Sequence, residues 1–237
     1  MNNLENINII DISNFNLQQV QELREVSLIQ KENQFYVGNL YQNFRINIKP
    51  FSEEGAEKLS QEIILLFNKV EKLKIVIMDE NFEQKYLQPL GKAIQECQNL
   101  KKLHIFIYDS KYIYNEEDQV SDYVIFSQQI SGCKSIQYLN LNFEQGYIDD
   151  QICFKMLKNL YSLPQLSQIE LNLVENPLDI SQDDWRQFVQ IFTGYQNLNY
   201  LVVIFNGEQT KKFMKMLTKR FKKVIKKLTH LSLSWMD

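Results

Sequence analysis

Cys97-Gln-Asn-Leu-Lys-Lys-Leu-His-Ile-Phe-Ile107 is the stretch on which the fold turns, because it places apolar residues in the order apolar-x-x-apolar-x-apolar-x-apolar at Leu100, Leu103, Ile105 and Ile107. The last three alternate with other residues, which puts them on one face of a short strand and their neighbours on the other. The same order returns as Cys133-Lys-Ser-Ile-Gln-Tyr-Leu-Asn-Leu-Asn-Phe143 and Tyr195-Gln-Asn-Leu-Asn-Tyr-Leu-Val-Val-Ile-Phe205. Outward from these, it recurs at Val70/Leu73/Ile75/Ile77, Leu166/Ile169/Leu171/Leu173 and Leu228/Leu231/Leu233/Trp235. Toward the N-terminus it recurs at Tyr41/Phe44/Ile46/Ile48, with a degenerate copy at Leu4/Ile7/Ile9. A period of about 30 residues leaves room for one short strand and one helix per unit.

The segments between strands have helical spacing. From Ser181 to Phe192, the residues Trp185, Phe188, Val189 and Phe192 share one side and Ser181 stands at the N-cap position. Behind Ser52, the set Ala56, Leu59, Ile63 and Leu66 repeats the arrangement. Strands alternating with helices through short connections imply parallel pairing and right-handed crossovers.

With these residues in view, the units resemble leucine-rich repeats of the ribonuclease-inhibitor type, in which each strand is followed by a full helix. The resemblance runs from about residue 40 to residue 237. It implies an α/β leucine-rich-repeat solenoid of about eight strand-helix units, a curved parallel sheet with helices on its convex side. On that reading the chain is one domain, with 1–40 a degenerate N-terminal unit and 41–237 the regular repeats. The usual asparagine after the strand is replaced in several units, by Met78, Tyr108 and Glu144.

Composition narrows the function. The chain has 237 residues, is 44% hydrophobic and has a net charge of −3. It offers no run of about 18 apolar residues and no secretory leader pattern, so the expectation is an intracellular, soluble protein, cytoplasmic or nuclear, without a transmembrane segment. Lysine outnumbers arginine 22 to 4, and only two alanines occur. That bias suggests an AT-rich coding genome and not a property of the fold.

Three cysteines without C-x-x-C spacing argue against both a disulfide framework and a zinc site. Cys97 and Cys133 fall where other units carry Phe67, Leu163, Tyr195 and Ile225, so they are expected in the core. His104 and His230 lie in equivalent strands about four units apart, too distant to form a joint site. No phosphate-binding glycine loop, G-x-S-x-G elbow or H-E-x-x-H pattern is present. The acidic pairs Asp149-Asp150 and Asp183-Asp184 sit at helix starts, where the helix dipole favours them. The expectation is a non-enzyme without cofactor, metal or small-molecule substrate.

Binding surfaces are the remaining source of function. The strands' alternate residues present Lys74, Val76, Met78, His104, Phe106, Tyr108, Val202 and Ile204 away from the core, together with Asn140, Asn142, Glu144, Glu170, Asn172 and Val174. Val76, Met78, Phe106 and Tyr108 are expected to form one apolar and aromatic patch on adjacent strands. An insertion at Asp109–Asp118 carries Tyr112 and Tyr114 beside Glu116 and Glu117. Residues 211–227 hold nine basic side chains and no acidic one, leaving 17 basic against 29 acidic elsewhere. At 100° per residue, Lys212, Lys215, Lys219, Lys222 and Lys226 form a stripe opposite Phe213, Leu217, Phe221, Val224 and Leu228. The final strand, with Leu233 and Trp235, is expected to expose an edge that a partner or second copy covers.

These surfaces suggest a protein-protein interaction or scaffold subunit of a larger assembly. Two other readings stand beside it: a nucleic-acid-associated subunit using the basic helix, and a regulator of an enzyme, by analogy with ribonuclease inhibitor and Ran GTPase-activating proteins.

Overall fold

The computed structural model describes strand backbone at residues 9–11, 25–31, 34–38 and 43–46, and then residues 71–78, 84, 87–108, 121–176, 182–206 and 211–236. Side chains are described at 71–75, 84, 87–107, 121–176, 185–205, 215–223 and 225–234.

The chain-order elements are β1 (Ile9–Asp11), β2 (Glu25–Lys31), β3 (Gln34–Gly38), β4 (Asn43–Ile46), β5 (Lys72–Met78), α1 (Leu87–Gln95), β6 (Lys102–Tyr108), α2 (Asp122–Ile130) and β7 (Tyr138–Glu144). They continue with α3 (Asp150–Asn159), β8 (Gln168–Asn172), α4 (Gln182–Ile191), β9 (Tyr200–Asn206), α5 (Lys211–Val224) and β10 (His230–Met236). One ten-stranded sheet results, in the order β1-β4-β3-β2-β5-β6-β7-β8-β9-β10. From β5 to β10 the six strands are parallel and follow one another in chain order.

Period two explains the strands. Leu103, Ile105 and Ile107, then Leu139, Leu141 and Phe143, then Leu201, Val203 and Phe205 are buried, while the residues between them are half-buried. The register aligns each buried position with its equivalent in the next strand, so the units share one continuous core. The backbone repeats as faithfully. The Glu71 carbonyl accepts from the amides of Lys101 and Lys102 at 2.8 and 2.9 Å, and the same double acceptance recurs at the carbonyls of Lys101, Gln137, Ser167 and Asn199.

Helices close the buried side. Tyr123, Phe126 and Ile130 of α2, Phe154 and Leu157 of α3, Phe188 and Val189 of α4, and Leu217 and Phe221 of α5 all enter the core. Asp149 caps α3, its Oδ1 accepting from the Ile152 amide at 2.7 Å, as the placement of an acid before that helix predicts. Where α1 passes α2, a Cβ on Gly91 would lie 2.9 Å from the Phe126 ring, so the close approach requires glycine there.

Before β5 the strand order departs from the expected succession. The apolar set at Phe44 and Ile46 does form a strand, β4, yet it does not stand beside β5. That place belongs to β2, parallel to β5 from Glu25↔Lys72 to Lys31↔Met78. β4 lies two strands further out, antiparallel to β3 and parallel to β1 at Ile9↔Asn43. The physical reason is local: β2 and β3 are two residues apart in sequence, so they pair antiparallel at little loop-closure cost. The helix expected behind Ser52, the N-cap at Ser181 and the insertion at 109–118 lie outside the described residues.

Candidate functional site: the open face of the sheet

Opposite the helices, the alternate residues of β5 to β10 form rows in register. One row runs Lys72, Lys102, Tyr138, Gln168, Tyr200 and His230. The next runs Lys74, His104, Asn140, Glu170, Val202 and Ser232, and the third Val76, Phe106, Asn142, Asn172, Ile204 and Ser234. Three chemically distinct zones result.

Cations and aromatics define the β5–β6 end. The Lys74 Nζ stands 5.0 Å from the centroid of the Phe106 ring, a cation-π distance. His104 lies parallel to Phe106 with centroids 6.5 Å apart and tilts against Tyr138 at 4.9 Å. Val76 pairs with Phe106 and Met78 with Tyr108 across the two strands, as expected. The side chains of Val76, Met78 and Tyr108 lie outside the described residues.

Amides and a carboxylate occupy the middle. The Asn140 Nδ2 donates to Glu170 at 2.8 Å and to the Tyr138 hydroxyl at 3.3 Å. Burial pushes the Tyr138 phenol up to about 12, and Glu170 adds to the rise by disfavouring a second negative charge. Burial and then Glu170 also raise Tyr200. Both phenols therefore stay protonated at neutral pH, and the Tyr138 hydroxyl accepts from the same Asn140 amide that donates to the Glu170 carboxylate.

Apolar groups dominate β9, where Val202 and Ile204 are half-buried, and Tyr200 stacks on His230 at 4.4 Å with an angle of 11° between the rings. The expected partner-binding residues thus fall into two regions, Lys74, His104 and Phe106 at one end and Val202 and Ile204 at the other, separated by the polar strands β7 and β8. Val174 is a correction. It was expected on this face and is buried, because β8 stops at Asn172, two residues short of the position where β7 ends at Glu144, and Val174 leaves the alternation.

Sequence reading missed Tyr138 and Tyr200. Each strand starts two residues before the first face residue assigned from the apolar pattern, and continuing the alternation backward by one step finds both.

The other candidates are dispersed. His104 and His230 are four strand spacings apart, roughly 19 Å. Cys97, Cys133 and Cys153 are buried. The Cys133 thiol donates to the Cys97 carbonyl at 3.0 Å and the Cys97 thiol to the Ala93 carbonyl at 3.3 Å. Burial pushes the Cys97 thiol up to about 12 and also raises Cys133 and Cys153, so all three are neutral at pH 7 and poor nucleophiles. Among the described residues no group of three or more His, Cys, Asp or Glu is arranged to hold a metal ion, and no helix is long and apolar enough to cross a membrane.

On the helical side, Lys215, Lys219 and Lys222 of α5 are exposed, opposite the buried Leu217 and Phe221. Lys212 is in the same helix, with its side chain outside the described residues. The helix ends at Val224, earlier than the projected stripe, so Lys226 is exposed in the following turn. At the sheet's edge, Leu231 and Leu233 of β10 are half-buried, whereas their register partners Leu201 and Val203 on β9 are fully buried. Trp235 lies in β10 with its side chain outside the described residues. No protein-family model and no curated protein matches the chain.

Proposed function

We propose that this chain is a leucine-rich-repeat solenoid, its repeats the units from β5 to β10, that acts as a non-catalytic protein-binding subunit of a larger assembly, using the face of its sheet opposite the helices. The observation that carries this reading is the graded face. Cation and aromatic groups at β5–β6, a carboxylate among amide and phenol groups at β7–β8, and an apolar strip at β9 lie in register on a rigid support. Such a surface suits a protein partner, because aromatic anchors flanked by hydrogen-bonding groups are what interface centres use. The cysteines are buried and protonated and the two histidines stand four strands apart, so no thiol and imidazole meet. An intracellular location accords with three free thiols.

Phe106→Asp combined with Tyr108→Asp tests this reading. Partner affinity, measured by titration calorimetry with the co-purified partner, is expected to fall at least about tenfold, the loss of one interface anchor. The melting temperature should stay within about 2 °C, as for substitutions away from the core. Unfolding of the double variant would place the patch inside the core, and unchanged affinity would remove the face from the interface.

A further inference from the structure

A second surface lies on the helical side, independent of the sheet face. A groove of about 550 Å³ spans three successive helices, with Lys158 and Tyr161 contributed by the end of α3 and the turn after it, Arg186, Gln187 and Gln190 by α4, and Arg220 by α5. Among the described residues its lining carries no acidic side chain. The chain has only four arginines, at 24, 45, 186 and 220, and two of them meet here. Arginine presents a planar fork of donors suited to phosphate and stacks on flat rings, which lysine does not. Tyr161 is held in place from two sides. A Cβ on Gly194 would lie 2.7 Å from its ring, and Tyr195 meets it edge-on with centroids 5.0 Å apart.

Arg220 belongs to the helix that carries the exposed Lys215, Lys219, Lys222 and Lys223, so groove and lysine stripe share one helix. The helix has 14 residues, a length of about 21 Å, and its lysines recur at each turn, about every 5.4 Å. Like charges at i,i+4, such as Lys215 with Lys219 and Lys219 with Lys223, repel within an isolated helix and are relieved by a polyanion.

We infer that this surface binds single-stranded nucleic acid, with phosphates on Arg186, Arg220, Lys158 and the α5 lysines and a base against the Tyr161 ring. The combination of a basic track, a fixed aromatic ring and amide side chains is what sequence-tolerant single-strand binding uses. An acidic polypeptide would satisfy the charges without using the part of the Tyr161 ring that the core leaves uncovered.

The full-length protein is titrated into a fluorescein-labelled 12-nucleotide oligo(U), with anisotropy read at several salt concentrations. Binding should weaken steeply with salt. Arg186→Gln with Arg220→Gln should weaken it at least about tenfold and make the plot of log affinity against log salt shallower by about 1.4, the effect of two lost contacts on a single strand. Lys215→Gln with Lys219→Gln, both at exposed positions, should act in the same direction without touching the core. An RNA duplex of the same length should bind at least about fivefold more weakly, because its bases are not free to meet the ring. No binding at low salt, equal binding of the duplex, or full affinity in both double variants would overturn the inference. Displacement of the oligonucleotide by polyglutamate of equal charge would overturn it too, and would assign the surface to acidic polypeptides.

Discussion

Phe188→Ala is expected to lower the unfolding free energy by about 3–5 kcal/mol, the range for removing a fully buried aromatic side chain. Phe188 is 0% exposed and stands at the centre of the aromatic core. Its ring lies 5.2 Å from Phe192, 5.5 Å from both Trp185 and Phe205, 6.0 Å from Phe154 and 6.3 Å from Phe221. Those partners belong to α3, α4, the turn after it, β9 and α5, so one ring ties together consecutive units. Urea denaturation followed by circular dichroism measures the loss. In a stack where each unit is stabilised by its neighbours, the cavity also weakens coupling between units. The variant is therefore expected to unfold its C-terminal units first, as a broadened or two-step transition. A loss below about 1 kcal/mol with an unchanged single transition would mean that the helices do not share this core.

Asn176→Ala is expected to cost about 2–3 kcal/mol, more than its size suggests. Asn176 is a buried polar residue, 6% exposed, and its side chain connects two successive units. The Nδ2 donates to the carbonyls of Phe143 at 2.5 Å and Val174 at 3.1 Å, and the Oδ1 accepts from the Ile148 amide at 2.8 Å. Phe143 keeps a second bond from the Gly146 amide after truncation. The buried Ile148 amide loses the acceptor described here, and an orphaned buried donor costs about 1–3 kcal/mol. The same denaturation experiment measures it, and hydrogen exchange at Ile148 should rise in step. Unchanged stability would mean that water replaces the side chain.

Much of the parallel sheet was legible because burial with a period of two leaves a direct mark in the sequence. Leu103, Ile105 and Ile107 announce their strand, and their equivalents announce the rest. Pairing partners were less legible. Phe44 and Ile46 carry the same alternation, but nothing in it says that β2 and β3, close together in sequence, pair with each other and that β2 takes the place beside β5. The end of α5 was legible in principle: Ile225 is the equivalent of Tyr195, Leu163, Cys133 and Cys97, all of which lie beyond their helices, so the helix had to stop before it. The basic groove was not legible. It exists only because Lys158, Arg186 and Arg220, far apart in sequence and on three different helices, converge in space, and no period in the chain encodes that convergence.

Partner contact through the open sheet face is tested most directly by site-specific photo-crosslinking in the cells that make the protein. Benzoylphenylalanine would replace Phe106 at one end of the face, Val202 at the other, and Lys222 on the helical side as a control. The account predicts that positions 106 and 202 each yield an adduct with the same protein, that position 222 does not, and that Tyr108→Asp diminishes the adduct at 106. Adducts to that protein from position 222 alone, or none from either face position, would contradict it.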